Sequence, residues 1–491
     1  MRHRVGRWPL LVGLLAALVY LGVPTRKYYW DGVSFAINIE RGAADPSGLF
    51  HPNHLLYNTL GYALYRLARY FTADARALFV LQRANAVLAA ACVAMICRIL
   101  IARGVAVSRA VWLALLFACA ATWWRFATDA DAYIASILLL LGCARLLLPG
   151  EAPRPLAVSA THCGAILFHQ LAVLFFPVAA LALYRQAPER PKALRAVLVY
   201  AVGTTLPVLA AYAAVFRVIG ESRSGTFLSW VTYHSPDSAF SFEPLRNLGW
   251  SALGTLRLFA GGKLGAMRGD WIGISALVLL GGAVFLLITR HREFISALRE
   301  AACGVIRWRE FPELTLWIAV YAMFLFFWMP RNTFYRLFYL PPAILLLGGA
   351  APWRGASRAS VLPCFVAALA LWNFSFSIYP QSFAENNRPL EFAFEQGPQW
   401  PPGTAVAFRE FPSDLWTISY FNPQAFWIRL TSVHQIEALR QSSMQSGRSL
   451  WLDGSAYDWL EASAEGKRWL ALHVSGGRSA PSQFRFYRTV P

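Results

Sequence analysis

The sequence predicts a polytopic α-helical membrane protein ending in a small α/β domain. Of its 491 residues, 57% are hydrophobic and only 14% charged, whereas soluble domains carry about a quarter charged residues. Long apolar runs recur between residues 8 and 379, about eleven of them, and runs of this kind are the mark of bilayer-spanning helices. Beyond residue 380 the runs shorten to strand length and alternate with a helical stretch.

The chain opens with the basic MRHRVGR, followed by WPLLVGLLAALVYLGVP. No small-residue cleavage site follows; Lys27, Tyr28, Tyr29 and Trp30 come instead. This predicts an uncleaved signal anchor with its N-terminus on the cytoplasmic side. Further apolar segments lie at 77–102, 108–127, 131–148, 155–168, 170–185, 194–217, 271–290, 313–330, 334–351 and 358–379.

Charge orders these segments across the membrane. The predicted inner connections hold Arg98, Arg103 and Arg109; Arg145 and Arg154; Arg185, Arg190, Lys192 and Arg195; Arg290, Arg292, Arg299, Arg307 and Arg309; Arg354 and Arg358. Each is basic, as the positive-inside rule requires. A single span over 155–185 would swap every later loop to the other side and break the rule at 290–309. Two short helices around Phe168, His169 and Gln170 keep it, with His169 near the outer surface. Segments 25–76, 126–132, 218–270 and everything after about 380 then face outward.

The net charge of +19 follows largely from this topology. No aromatic-basic nucleic-acid module accompanies it, so the expected partner is the bilayer and not nucleic acid. There is no Gly-rich phosphate loop of the Walker type, and nothing points to ATP-driven transport. The seven cysteines, Cys92, Cys97, Cys119, Cys143, Cys163, Cys303 and Cys364, lack zinc-ligand spacing. Cys92 and Cys97 lie within an apolar run and read as packing residues.

Two outer segments have interfacial character. HLLYNTLGYALYRLARYF is apolar but carries Arg66 and Arg69, which are costly inside a lipid-exposed span; a helix lying in the interface suits it. The 218–270 loop holds Trp230, Phe240, Phe242, Trp250, Leu253 and Phe259 and reads the same way. In the tail, TAVAFREF, SLWLDGS and RWLALHVSG are expected strands. SVHQIEALRQSSMQSG is an expected helix capped by Ser432. The expected division is a transmembrane domain over 1–380 and an extracytoplasmic domain over 381–491.

The candidate chemistry gathers on the outer face. Asp31 follows the first span among Tyr28, Tyr29 and Trp30; partial desolvation there raises a carboxylate's pKa and suits a general base. A solvated aspartate or helix cap is the plain alternative. Asp129 and Asp131, in WWRFATDADAY, sit in a short outer turn with Arg125. They suit N-capping, an Arg–Asp pair or coordination of a divalent cation. His51 and His54, in HPNHLLY, suit a metal site with Asp31, a phosphate or sugar site, or a helix cap. Arg331 and Arg336, in FWMPRNTFYRLFYLPPAILLLG, offer permanent charge for a phosphate, with snorkelling to headgroups as the alternative. Lys263 and Arg268 can add to that charge, and His169 is placed at the same face.

Taken in series, these pieces resemble the GT-C glycosyltransferases that use polyprenyl-phosphate sugars, the relatives of protein O-mannosyltransferases and lipid A aminoarabinose transferase. WDGVSF resembles the first acidic motif and HPNHLLYNTLGYALYRLARYF the His-Pro-led interfacial helix. LQRANAVLAAACVAMICRIL resembles the second span, TDADAY the second acidic motif and GAILFHQLAVLFFP the short-helix pair. The likeness covers most of residues 8–380 in order and spacing. It departs where many members carry a second acidic residue close after the first; Val33 and Ser34 stand there.

The resemblance implies an inverting transferase in the cytoplasmic (inner) membrane, acting at its outer face on a glycan, lipid or protein acceptor. Asp31 would take the acceptor's proton. Asp129, Asp131, His51, His54 and His169 would position the substrates. Arg331, Arg336 and Lys263 would hold the leaving lipid phosphate. No particular cofactor is implied, and a divalent metal stays open. A transporter or lipid flippase would place charges at mid-membrane and show a repeat between halves. An O-antigen ligase or polymerase would place its key residues in a large late loop. The early Asp31 and the one-sided clustering of charge fit neither.

Overall fold

A computed structural model describes residues 6–219, 226–232, 240–296, 299, 310–349, 361–397, 400–410, 413–474 and 484–490. The chain divides into two units, one of residues 1–25 and 35–382, the other of residues 26–34 and 383–491.

Helix dominates the first unit. Each of the expected apolar segments carries one, but their lengths differ from the expectation of about eleven full spans. Among the described residues, four helices are long and apolar enough to cross a membrane: Ala77–Ala102, Arg190–Ile219, Trp271–Thr289 and Val361–Gln381. A fifth span arises if Val107–Cys119 and Ala121–Ala127, bent by 70°, count as one. The others, such as Tyr133–Leu146 and Leu340–Gly349, are shorter. Local breaks explain part of the shortening. His169 is extended (φ −159°, ψ 119°), so 155–186 divides into Pro155–Phe168 and the turns that follow. The expected basic residues Arg307, Arg309, Arg354 and Arg358, and Cys303, lie outside the described residues.

The segment over 25–76, expected as an outer loop, is largely helical. Trp30–Arg41 forms a helix with Asp31 in its first turn and Arg41 in its last, the charge order that a helix dipole favours. Glu40, near its end, accepts from Arg76 Nε at 3.0 Å and from the Ala77 N–H at 2.9 Å. It thereby satisfies an orphan donor at the start of the long helix Ala77–Ala102. The helix Tyr57–Phe71 follows, with Leu60, Leu67, Tyr70 and Phe71 exposed. Arg66 and Arg69 donate to the hydroxyls of Tyr62 and Tyr65 one turn earlier. Within 218–270, Pro244–Phe259 is a helix with Leu245, Leu248 and Leu256 exposed.

A single buried amide joins three helix ends. Asn373 Nδ2 donates to the carbonyls of Cys119 (2.8 Å) and Phe259 (2.7 Å), and its Oδ1 accepts from the Gly261 N–H. The backbone then widens into a π-helical turn, Phe374–Ile378. Gly262, at φ 96°, passes so close to the Phe376 carbonyl that no side chain would fit. The cysteines Cys92, Cys97, Cys119 and Cys143 are free and buried.

The second unit contains a four-stranded sheet, in which β1 (Ala405–Phe408), β2 (Phe426–Arg429), β3 (Leu450–Asp453) and β4 (Phe486–Arg488) take the order β2-β1-β3-β4. β1 is parallel to β2 and β3, and β4 is antiparallel to β3. Alternation along β1 builds two cores. Ala405 and Ala407 pack with Leu430, Ile436 and Leu460, while Val406 and Phe408 pack with Leu415, Ile418 and Phe392. Helices therefore cover both faces. Val433–Gln445 is capped by Ser432, whose hydroxyl accepts from Gln435 N. Of RWLALHVSG, expected as a strand, residues 468–473 end a helix instead, Ala464–His473, and Val474 forms an isolated bridge with Thr489. The residues AEGKRWLALH of that helix are mostly good helix formers, and Ser463 caps it through Gly466 N at 2.9 Å.

Candidate active site

The first unit brings most of the expected site residues to one place. The HPNH turn is folded on itself: His51 and His54 form an isolated antiparallel bridge, and their rings stack with centroids 5.3 Å apart. The turn is then tied to the break at His169. Leu56 N donates to Leu167 O at 2.9 Å, and Gln170 N donates to Asn53 O at 3.0 Å. Tyr212 from the long helix Arg190–Ile219 adds a bond to Pro52 O at 2.6 Å. Pro52 thus contributes a carbonyl whose partner comes from another helix.

This docking puts His54 against His169, ring centroids 4.6 Å apart at 61°. Tyr133, Phe338 and Tyr335 complete the surround, with centroids 5.1, 5.0 and 5.9 Å from the His169 ring. His169 Nδ1 accepts from Leu171 N at 3.1 Å. Its Nε2, and Nδ1 of His54, are buried without a hydrogen-bond partner among the described residues. Burial, and then the neighbouring His169 and His51, push the His54 imidazole well below the usual histidine range. It is held neutral, able to donate from one nitrogen and accept at the other.

Asp129 and Asp131 are completely buried. Neither caps the next helix, Tyr133–Leu146, whose N-cap is Ala132 with no side-chain bond. The turn that carries them is held by two amides of the helix Ala77–Ala102. Asn85 Nδ2 donates to the backbone carbonyls of Asp129 (2.8 Å) and Asp131 (2.7 Å). Gln82 Nε2 donates to those of Thr25 (2.8 Å) and Thr128 (2.6 Å). Tyr57 lies close by: after burial, the Asp131 carboxylate is the next cause raising its hydroxyl pKa well above the usual tyrosine value. Gln82 and Asn85 were absent from the expected site. Their signal was available, since two amides three residues apart mark one helix face and polar groups inside a span are expensive.

The basic candidates separate into two kinds. Arg331 is exposed, its guanidinium 4.3 Å from the ring centre of Trp250. Lys263 is also exposed, with its backbone fixed by a bond to Phe376 O. Arg336 is almost fully buried, and its turn uses it: Nε donates to Asn332 O (3.0 Å), Nη2 to Pro330 O (2.7 Å) and Nη1 to the Tyr339 hydroxyl (2.9 Å). It fastens the turn from which Arg331 projects. Arg268 pairs with Asp270 at 3.0 Å.

Asp31, half-buried, belongs to the other unit. The aromatics around it pack within that unit, Tyr28 on Phe421 and Trp30 on Trp416. Among the described residues no three His, Cys, Asp or Glu side chains are grouped to hold a metal ion. The helix Tyr57–Phe71 starts from Leu56 with no side-chain cap, so neither His51 nor His54 caps it.

The sequence matches no protein-family profile and no curated protein. Solved structures do match. ArnT from Cupriavidus metallidurans bound to undecaprenyl phosphate aligns over 98% of this chain and 97% of its own, with 12% identity and a TM-score of 0.60. The apo state of the same protein aligns over 98% and 96%, with the same identity and score. An apo oligosaccharyltransferase from Archaeoglobus fulgidus aligns over 92% of this chain and 70% of its own, at 13% identity and a TM-score of 0.47. An end-to-end match of this kind reports architecture: the chain is a multi-pass membrane protein with the GT-C fold.

Proposed function

We propose that the chain is an inverting glycosyltransferase that moves a sugar from a polyprenyl-phosphate donor to an acceptor at the outer face of the cytoplasmic membrane. The observation that carries this reading is the likeness to ArnT over nearly the whole of both chains, one structure of which holds undecaprenyl phosphate. The buried polar turn of Asp129 and Asp131, beside the His54–His169 pair, supports it, because such groups are maintained at a cost inside a membrane protein.

In this reading, Asp31 accepts the proton of the acceptor's hydroxyl or amine. The acceptor atom bonds to the sugar's anomeric carbon as the bond to the phosphate oxygen breaks, with inversion. Negative charge develops on the departing polyprenyl phosphate, where Arg331 and Lys263 stabilise it. Arg336 acts on that phosphate through the turn it fastens. Asp129 and Asp131 position substrate through hydroxyl contacts, and neutral His54 and His169 supply donors and acceptors. The N-terminus is cytoplasmic and the tail extracytoplasmic.

Binding of undecaprenyl phosphate, followed by native mass spectrometry of the purified chain, tests the donor assignment. The wild type retains the lipid, and the Arg331→Ala/Lys263→Ala double variant binds it about tenfold more weakly, the loss of a charge-assisted hydrogen bond. Equal retention by both removes these residues from the donor site.

A further inference from the structure

The sheet order of the tail places a crevice where its chain direction reverses. From β1 the chain passes through the helix Ser413–Phe421 to β2 on one side, then through Val433–Gln445 back across to β3 on the other. The carboxyl ends of the parallel neighbours β1 and β3 therefore diverge into helices on opposite faces. In open α/β sheets this switch point is where ligands bind. A cavity of about 760 Å³ lies there, lined by Arg409 and Glu410 after β1 and by Asp453 and Ser455 at the end of β3. Asp414, Asp458, Trp459 and Arg485 form other parts of its wall.

The crevice is built and not merely left over. The Ser455 hydroxyl accepts from the backbone N–H groups of Arg409 and Glu410, both at 3.0 Å, which joins the two strand ends. Asp453 accepts from Ser455 and caps the helix Gly454–Glu461 through Ala456 N at 2.9 Å. That helix start, the usual seat of a phosphate, is thus already occupied by a carboxylate. Arg485 is paired to Asp458 at 2.6 Å, and Arg409 lies over Trp459 with a bond to Leu430 O. The lining carries four carboxylates against these two engaged guanidinium groups, which disfavours an anion. Asp414, half-buried, has no side-chain partner among the described residues, and burial pushes its carboxyl up; Glu410, beside it on the same rim, is exposed. A half-buried acceptor without a donor is costly.

We infer that this crevice is a binding site for the polyhydroxylated face of a neutral or amino-bearing saccharide, held by hydroxyl donation to Glu410 and Asp414 against the Arg409–Trp459 wall. The cavity volume falls in the range of ordinary small-molecule sites, roughly 300–1,000 Å³. The inference concerns binding alone and stands whether or not the chain transfers sugar.

Calorimetric titration of the full chain in nanodiscs tests it with three probes: a tetrasaccharide of N-acetylglucosamine, one of glucosamine, and a sulfated tetrasaccharide. The expected result is binding of one or both uncharged or amino probes, exclusion of the sulfated one, and an affinity about tenfold lower in Asp414→Asn and Glu410→Gln, as for the loss of a charged acceptor. Both substitutions are nearly isosteric, and an unchanged melting temperature confirms the fold. Absence of binding by any probe, equal binding of the sulfated probe, or unchanged affinity in both folded variants overturns the inference. Transfer from a lipid donor, measured on the same preparation, is a separate readout whose loss leaves this result intact.

Discussion

Asn85 donates from one side-chain amide to the backbone carbonyls of both Asp129 and Asp131, so the turn bearing two buried aspartates is positioned by a helix that contains no acidic residue. Replacing Asn85 with Leu keeps the branched outline of the side chain, though not its volume, and removes the donor. Two buried carbonyls then lose a partner, and an unsatisfied buried polar group costs about 1–3 kcal/mol. The expected outcome is a lower melting temperature in detergent, together with weaker substrate binding through the displaced turn. Asn85→Ala should behave the same way. A melting temperature and affinity equal to wild type would show that the turn holds itself.

The neutral histidine pair makes stability depend on pH in one direction. His54 has a folded pKa well below its unfolded value of about 6.5. Below that pH the unfolded chain binds a proton that the folded chain resists, so stability falls as pH falls. The melting temperature should be level above about pH 6.5 and decline below it. In His54→Gln the decline should be shallower. An identical slope in variant and wild type would assign the decline to other groups.

Gly254 lies against the Arg336 guanidinium, and an added methyl group would collide with it. Arg336 cannot withdraw easily, because its three nitrogens are bonded to Pro330, Asn332 and Tyr339. Gly254→Ala should therefore destabilise by about 1–3 kcal/mol, the usual penalty of overpacking. It should also weaken retention of undecaprenyl phosphate if the Arg331 turn shifts with it. A variant as stable as wild type would mean that the turn yields freely.

The apolar segments were legible because each is long and nearly free of charge, and hydropathy reports that property of a chain in lipid. Their division into full spans and short helices was not, since a break such as the one at His169 depends on Gln170 N donating to Asn53 O and Leu171 N donating to the His169 ring. The strands β2 and β4 escaped notice because three or four residues are too few to display alternation. The stretch 468–473 turned out helical for the opposite reason: it is apolar enough for a strand, but the helix formers before it and the Ser463 cap decide the matter. Within the site, conspicuous charges such as Asp129 and Arg336 stood out. The amides that position them, Gln82 and Asn85, read as isolated polar residues until their partners on a distant turn were known. Arg336 illustrates a further limit, because composition cannot show that Nε, Nη1 and Nη2 each already donate within its own turn.

The central claim is tested most directly by following sugar transfer from a radiolabelled polyprenyl-phosphate donor in proteoliposomes that also contain extracted membrane glycolipids and proteins as acceptors. The wild-type chain should release polyprenyl phosphate and label an acceptor, and Asp31→Asn, equally well folded, should lower the rate by at least about a hundredfold, the scale of general-base catalysis. An intact donor with wild-type protein across the available sugars, or undiminished transfer by Asp31→Asn, would contradict the account.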